Sequence, residues 1–166
     1  MATEKNLKDA FAGESQANRM YLAFAKKADA DGYPQIARLF RAAAAAETVH
    51  AHAHFRVMNG VKDTAENLKA AINGEGYEFK EMYPAFLKEA EAEKISGAAA
   101  SFRNALAVEK IHYDLYSEAL ESLKKGKDLA STDIFVCDVC GNTVYGHAPE
   151  NCPVCGAPKT MFVKVQ

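Results

Sequence analysis

Glu47-Thr48-Val49-His50 returns 62 residues later as Glu109-Lys110-Ile111-His112. Each copy lies late in a long Ala-rich stretch of helical periodicity. Residues three apart share a helix face, so each pair offers a carboxylate and an imidazole to one inward point. The same offset carries Met20-Tyr21 onto Met82-Tyr83, Phe24 onto Phe86, Lys26 onto Lys88 and Phe40-Arg41 onto Phe102-Arg103. The chain is therefore read as a duplication. Two helical hairpins in tandem, each with one helix carrying Glu and a second carrying Glu-x-x-His, predict a four-helix bundle with pseudo-twofold symmetry about its site.

Working outward, the first helix is expected from about Thr3 to Ala30, with Glu14 set inside an apolar stripe of Leu7, Phe11, Tyr21 and Phe24. Asp31-Gly32-Tyr33-Pro34 ends it, and Pro34 can open a second helix that Asn59-Gly60 stops. A capped connector helix is expected over Thr64 to Asn73, with Gly74 leading into a third helix that ends near Glu93. The fourth spans Ser96 to Lys125, with Phe102, Ala105, Glu109, His112 and Tyr116 on one face. One slip interrupts the repeat: Gly13-Glu14 and Gly74-Glu75 match at an offset of 61, whereas everything from Met20 onward matches at 62. The third helix thus holds one extra residue between its Glu and its Tyr. Such an insertion is commonly absorbed as a π-bulge, predicted here between Glu75 and Tyr83, near Glu78.

Glu14, Glu47, Glu75, Glu78 and Glu109, with His50 and His112, all point toward one level of the bundle. A lone Glu on such a face is ordinarily a solvated residue, but burying five without cations would cost several kcal/mol each. Carboxylates and imidazoles in this number suit a pair of oxygen-loving redox metals. His52 and His54 read as residues beside the site or on the surface, and His147 as a surface residue.

All four cysteines lie in the last thirty residues, as Cys137-Asp138-Val139-Cys140-Gly141 and Cys152-Pro153-Val154-Cys155-Gly156. Two matching knuckles at this spacing are a strong signal for a metal held by four thiolates, and a reducing compartment argues against disulfides. A structural zinc ribbon and a one-electron iron site use the same ligands. Phe135, Val136, Val144, Tyr145, Phe162 and Val163 supply short strands, and a polar linker from Lys124 to Asp133 joins this module to the helices. The expected domains are therefore 1–126, a metal-binding bundle, and 133–166, a four-cysteine metal domain.

At 166 residues and 49% hydrophobic, the chain has enough apolar content for a bundle and a minidomain. A net charge of -2 gives no basic footprint, so nucleic acid is not an expected partner. No signal peptide and no membrane-spanning run is read, and a cytoplasmic location is expected. No dinucleotide-binding fingerprint is present.

The order Ala12-Gly13-Glu14-Ser15-Gln16-Ala17, Glu47-x-x-His50, Gly74-Glu75-x-x-Glu78 with Glu81-Met82-Tyr83-Pro84, Glu109-x-x-His112 and a C-terminal pair of cysteine knuckles resembles the rubrerythrins. The extra Glu-x-x-Glu on the third helix and the appended cysteine module separate that family from ferritins and bacterioferritins. The resemblance implies an all-α ferritin-like four-helix bundle with a small β rubredoxin-like domain, and a non-haem di-iron peroxide reductase that converts hydrogen peroxide to water. It further implies that Glu47 and Glu109 bridge the irons, that Glu14 binds the first, and that Glu75 and His112 bind the second. Glu78 and His50 would alternate on the first iron with redox state, the anionic oxygen suiting ferric and the neutral nitrogen ferrous. Tyr21 and Tyr83 would donate hydrogen bonds to the carboxylates. Cys137, Cys140, Cys152 and Cys155 would hold iron and pass electrons inward. The donor would be rubredoxin or an NAD(P)H-dependent reductase.

Two other functions use parts of this pattern. A ferroxidase or iron-storage protein has no evident need for the four-cysteine tail, and a metal-responsive binding protein would carry colourless zinc there. The assembly expected is a homodimer. Exchanged hairpins are favoured, because the second helix is about 39 Å long and the segment from Gly60 to Gly74, once partly helical, falls short of the return journey; fully extended, the same residues reach about 50 Å, which leaves an unswapped bundle open.

Overall fold

A computed structural model describes residues 1–166. Helix α1 spans Ala2–Ala30 and α2 spans Pro34–Val57. Pro34 takes the first turn of α2, where a missing N–H costs no hydrogen bond. The seam between the two helices is built of alanines: Ala25, Ala28 and Ala37 are buried, with Phe40 packed against them. Small side chains let the helices approach closely. Asn18 crosses the seam, donating to the Ala44 carbonyl at 2.7 Å and to Thr48 Oγ1 at 2.9 Å.

Helix α3 spans Thr64–Tyr77 and begins where Asp63 accepts a hydrogen bond from the Glu66 N–H at 2.8 Å. It passes into a π-helical segment, Glu78–Met82, and then into α4, Tyr83–Ala92. Helix α5 spans Ser96–Lys124. The expected bulge near Glu78 is present. The expected break at Gly74 is not: Thr64 to Ala92 form one helical run, and the connector helix is simply its first turns. Each glycine in a helix interior costs about 1 kcal/mol relative to alanine. Packing offsets that cost at Gly76, where a Cβ would lie 3.3 Å from the Tyr113 ring on α5. The Lys80 ammonium then caps the contact, 4.5 Å from the centre of the Tyr113 ring and 5.1 Å from that of Phe79.

The duplication is visible in packing. Tyr21, Phe24 and Phe40 form a triangle of rings with centroids 5.6–6.3 Å apart, and Tyr83, Phe86 and Phe102 repeat it at 5.6–6.3 Å. Arg41 pairs with Asp29 at 2.7 Å, and its counterpart Arg103 pairs with Glu91 at 2.6 Å.

The C-terminal segment forms a three-stranded antiparallel sheet, β1 (Ile134–Cys137), β2 (Thr143–Tyr145) and β3 (Phe162–Lys164), in the order β2-β1-β3. Val136 pairs with Thr143 on one side and Val163 on the other. The chain divides into two compact units, Met1–Lys62 and Asp63–Gln166. The first hairpin is thus one unit, and the strand module shares the second unit with α3, α4 and α5. No helix is long and apolar enough to cross a membrane.

Candidate metal centres

Each hairpin gathers one carboxylate from its first helical run and a Glu-x-x-His pair from its second. In the first unit, His50 Nδ1 lies 3.0 Å from Glu47 Oε2 and 4.0 Å from Glu14 Oε1. In the second, His112 Nδ1 lies 3.0 Å from Glu109 Oε2 and 3.9 Å from Glu75 Oε2. The donor atoms within each trio lie within 4.8 Å of one another. Ligand bonds of about 2.1 Å span such a trio with small side-chain adjustments, so both clusters fit a cation.

The carboxyls of each trio act on one another. The Glu14 carboxyl is raised above the usual carboxylate range by its hydrogen bond to Glu47, by burial and by the charge of Glu47, with His50 and His54 pulling the other way. Glu47, receiving that bond and one from His50, is lowered. In the second unit, burial, the hydrogen bond to Glu109 and the charges of Glu109 and Glu78 push Glu75 up to about 8. Glu78 is raised by burial and by Glu109, against the opposing effect of His112. Carboxyls that must hold protons when no cation is near are what a metal site requires.

The structure brings together Glu14, Glu47 and His50 in one unit and Glu75, Glu109 and His112 in the other. Glu78 stands on the π-helical segment beside the second trio, close enough to Glu109 and His112 for their charges to act on it. Tyr83 is raised by burial and by the charges of Glu78, Glu109 and Glu75. Tyr21 occupies the equivalent place among Phe24 and Phe40. His54 is within electrostatic reach of Glu14, whereas His52 and His147 are exposed.

The four cysteines converge on a third site. Cys137 Sγ lies 3.8 Å from Cys155 Sγ, and Cys140 Sγ lies 3.6 Å from Cys152 Sγ. Four thiolates around one tetrahedral ion at bonds of about 2.3 Å have sulfurs about 3.8 Å apart, so the spacing suits a metal, while a disulfide needs about 2.0 Å. Gly141 and Gly156 take φ of +86° and +76°, the left-handed turn that aims the following N–H groups at sulfur. Cys140 accepts from the Asn142 N–H and Cys155 from the Ala157 N–H. Burial works to raise the Cys152 thiol, but the N–H groups of Cys155 and Val154 and the neighbouring thiols outweigh it and bring it down to about 6. Cys140 is pushed well up, chiefly by burial. Metal entry at such a cluster releases the thiol protons that remain.

Two residues outside the expected set belong to these sites. Asn142, 1% exposed, donates Nδ2 to Cys152 Sγ at 3.6 Å. Thr143 places Oγ1 3.0 Å from His112 Nε2. Asn142 follows the first knuckle directly, and its amide type was the one available clue. Thr143 carried none, because its contact depends on how the sheet docks on α5.

A model of the rubrerythrin family matches residues 5–120, and one described as the rubredoxin-like domain of rubrerythrin matches residues 135–163. Rubrerythrin-2 of Clostridium acetobutylicum is 38% identical, over 94% of this chain and 92% of its own length. Nigerythrin of Nitratidesulfovibrio vulgaris is also 38% identical, over 97% of this chain and 85% of its own. A solved structure of nigerythrin in its fully reduced, all-ferrous state is similar with a TM-score of 0.59 at 35% identity, covering 98% of this chain and 86% of that one.

Proposed function

The chain belongs to the rubrerythrin family of di-iron proteins with a rubredoxin-like domain, and on that premise we propose that it is a peroxide reductase of oxidative-stress defence. It takes two electrons and two protons to convert hydrogen peroxide to two waters. The observation that carries this reading is the presence, on one chain, of two matched Glu/Glu/His trios and a four-sulfur site of metal dimensions. The tail separates this reading from iron storage, since a store has no need of a one-electron relay.

Glu47 and Glu109 would be shared between two irons, Glu14 would hold the first, Glu75 and His112 would hold the second, and His50 and Glu78 would be alternative ligands of the first. A pair of irons held there would provide two electrons together, which avoids the single-electron cleavage of the O–O bond that releases hydroxyl radical. Carboxylates of the site would relay the protons that make two waters. Tyr21 and Tyr83 orient the carboxylates of the completed site. Cys137, Cys140, Cys152 and Cys155 would hold an iron able to carry one electron at a time, with rubredoxin or an NAD(P)H-dependent reductase as the donor, in the cytoplasm, where thiols stay reduced.

The completed site needs both compact units, and the connection between them is short. With α3 starting at Thr64, residues 58–63 reach about 20 Å at most, whereas α2 with its 24 residues is about 36 Å long. A ferritin-like bundle requires a return along that length. The assembly proposed is therefore a homodimer in which the first hairpin of one chain completes the second hairpin of its partner.

Iron analysis, visible absorption and peroxide consumption under reducing conditions test the function together. Expected are close to three irons per chain, a ferric-thiolate colour that dithionite bleaches, and peroxide consumed in proportion to reductant. A colourless, zinc-loaded protein that leaves peroxide intact would overturn the reading.

A further inference from the structure

We infer that Thr143 is a positioning residue that orients the His112 ring by accepting from its Nε2–H and ties the four-cysteine loop to the second half-site within one chain. This rests on reading His112 as a metal ligand. Its Nδ1 is the nitrogen turned toward Glu109 and Glu75, at 3.0 and 3.9 Å. A nitrogen that gives its lone pair to a cation carries no proton, so the hydrogen of the neutral ring must sit on Nε2. That hydrogen needs an acceptor.

Thr143 supplies one. Its Oγ1 lies 3.0 Å from His112 Nε2 and donates its own hydrogen to the Gly141 carbonyl at 3.1 Å. With that single hydrogen committed, Oγ1 meets the imidazole as an acceptor, and Nε2 must donate. The bonds run in one direction, from His112 Nε2–H to Thr143 Oγ1–H to Gly141 O. They end on the residue that follows Cys140. The loop is held in register by Val108, one turn before His112 on α5, whose Cγ1 would touch a Cβ at Gly141 at 3.6 Å.

His50 has no such arrangement. Its hydrogen bond is to Glu47 through Nδ1, and it stands more exposed, at 55% against 27% for His112. The contact therefore distinguishes two imidazoles that the duplication made alike. It also places a short route of hydrogen bonds between the thiolate loop and a ligand of the second iron, inside the compact unit that holds both. Exchange of the first hairpin between chains leaves this route intact.

The test compares wild type with Thr143→Val, which keeps the shape and removes the hydroxyl, and with Thr143→Ser, which restores it. In metal-free protein Nδ1, 3.0 Å from the Glu109 carboxylate, carries a hydrogen of its own, so the Nε2–H bond is read with the site filled. Nitrogen-15 NMR of histidine-labelled protein loaded with diamagnetic zinc at pH 8 should show a slowly exchanging His112 Nε2–H in wild type and Thr143→Ser, and exchange about tenfold faster in Thr143→Val. In the iron-loaded protein, oxidation of the prereduced thiolate iron after one addition of peroxide should slow about tenfold in Thr143→Val and recover in Thr143→Ser. Unchanged Nε2–H exchange in Thr143→Val, or faster exchange with an unchanged oxidation rate, overturns the inference. Failure of the wild type to bind zinc or iron in the helical sites would instead count against the ligand reading.

Discussion

The two half-sites have the same internal geometry and different surroundings. His50 and His112 each lie 3.0 Å from the partner Glu of their own motif, and 4.0 and 3.9 Å from the Glu of the neighbouring helix. Around the first trio the imidazole is free on its far side. Around the second the imidazole is anchored to Thr143, Glu75 is 20% exposed where Glu14 is 31%, and the π-helical segment brings in Glu78. The duplicated ligands thus sit in unequal surroundings, and the proposed alternation of His50 and Glu78 on one iron would use that inequality: the exposed imidazole would leave and the anchored one would stay.

The largest expected effect breaks the pair across chains. Glu47→Ala and Glu109→Ala homodimers should each lose peroxide reduction, and a mixed dimer of the two should recover about half, because exchanged hairpins put both defects into one site and leave the other whole. A mixed dimer as inactive as its parents would exclude the exchange.

Next is Cys140→Ser. Steady-state turnover with a reductase should fall by at least about a hundredfold, since the thiolate relay is broken, while a chemically prereduced helical site still consumes one portion of peroxide. Steady-state turnover that survives the substitution would remove the relay role from the four-cysteine module.

The asymmetry itself is tested by titrating iron against a chelator. His112→Ala should weaken iron binding by about a hundredfold and His50→Ala by about tenfold, because Glu78 can take over from His50 and nothing stands in for His112. Equal losses would mean the two halves do not differ in the way proposed.

The smallest effect is on the metal-free fold. Glu75 titrates at about 8 in the folded chain against 4.5 for an ordinary Glu. An acid raised in this way contributes its full stability below pH 4.5 and loses it as pH rises through 8, because the unfolded chain gives up the proton sooner. Each pKa unit is worth about 1.4 kcal/mol, and with the proton shared with Glu109 the net loss from pH 5.5 to 8.5 should be roughly 2 kcal/mol. Urea unfolding of wild type and Glu75→Gln at the two pH values reads it: the loss should be absent from the variant. Ferrous iron should stabilise the wild type most at the higher pH, where protons no longer satisfy the carboxylates.

What could be read along the chain was whatever depends on spacing. Helical period put Glu14 with Glu47 and His50, and Glu75 with Glu109 and His112, on facing sides of their helices, the 61-to-62 slip located the π-helical segment, and two Cys-x-x-Cys-Gly knuckles announced the four-sulfur cluster before any coordinates. These are local facts, set by 1.5 Å of rise per residue and by the reach of a knuckle. Gly74 was misleading for the opposite reason. A glycine signals a break when only its own backbone freedom is counted, but the packing of Tyr113 on Gly76 and of Lys80 over both rings keeps the helix whole. The partnership of His112 with Thr143 joins residues 31 apart on a helix and a strand. No periodicity encodes such a contact: it exists because the sheet lies against α5 at one register, and that register is the outcome of packing summed over the whole unit.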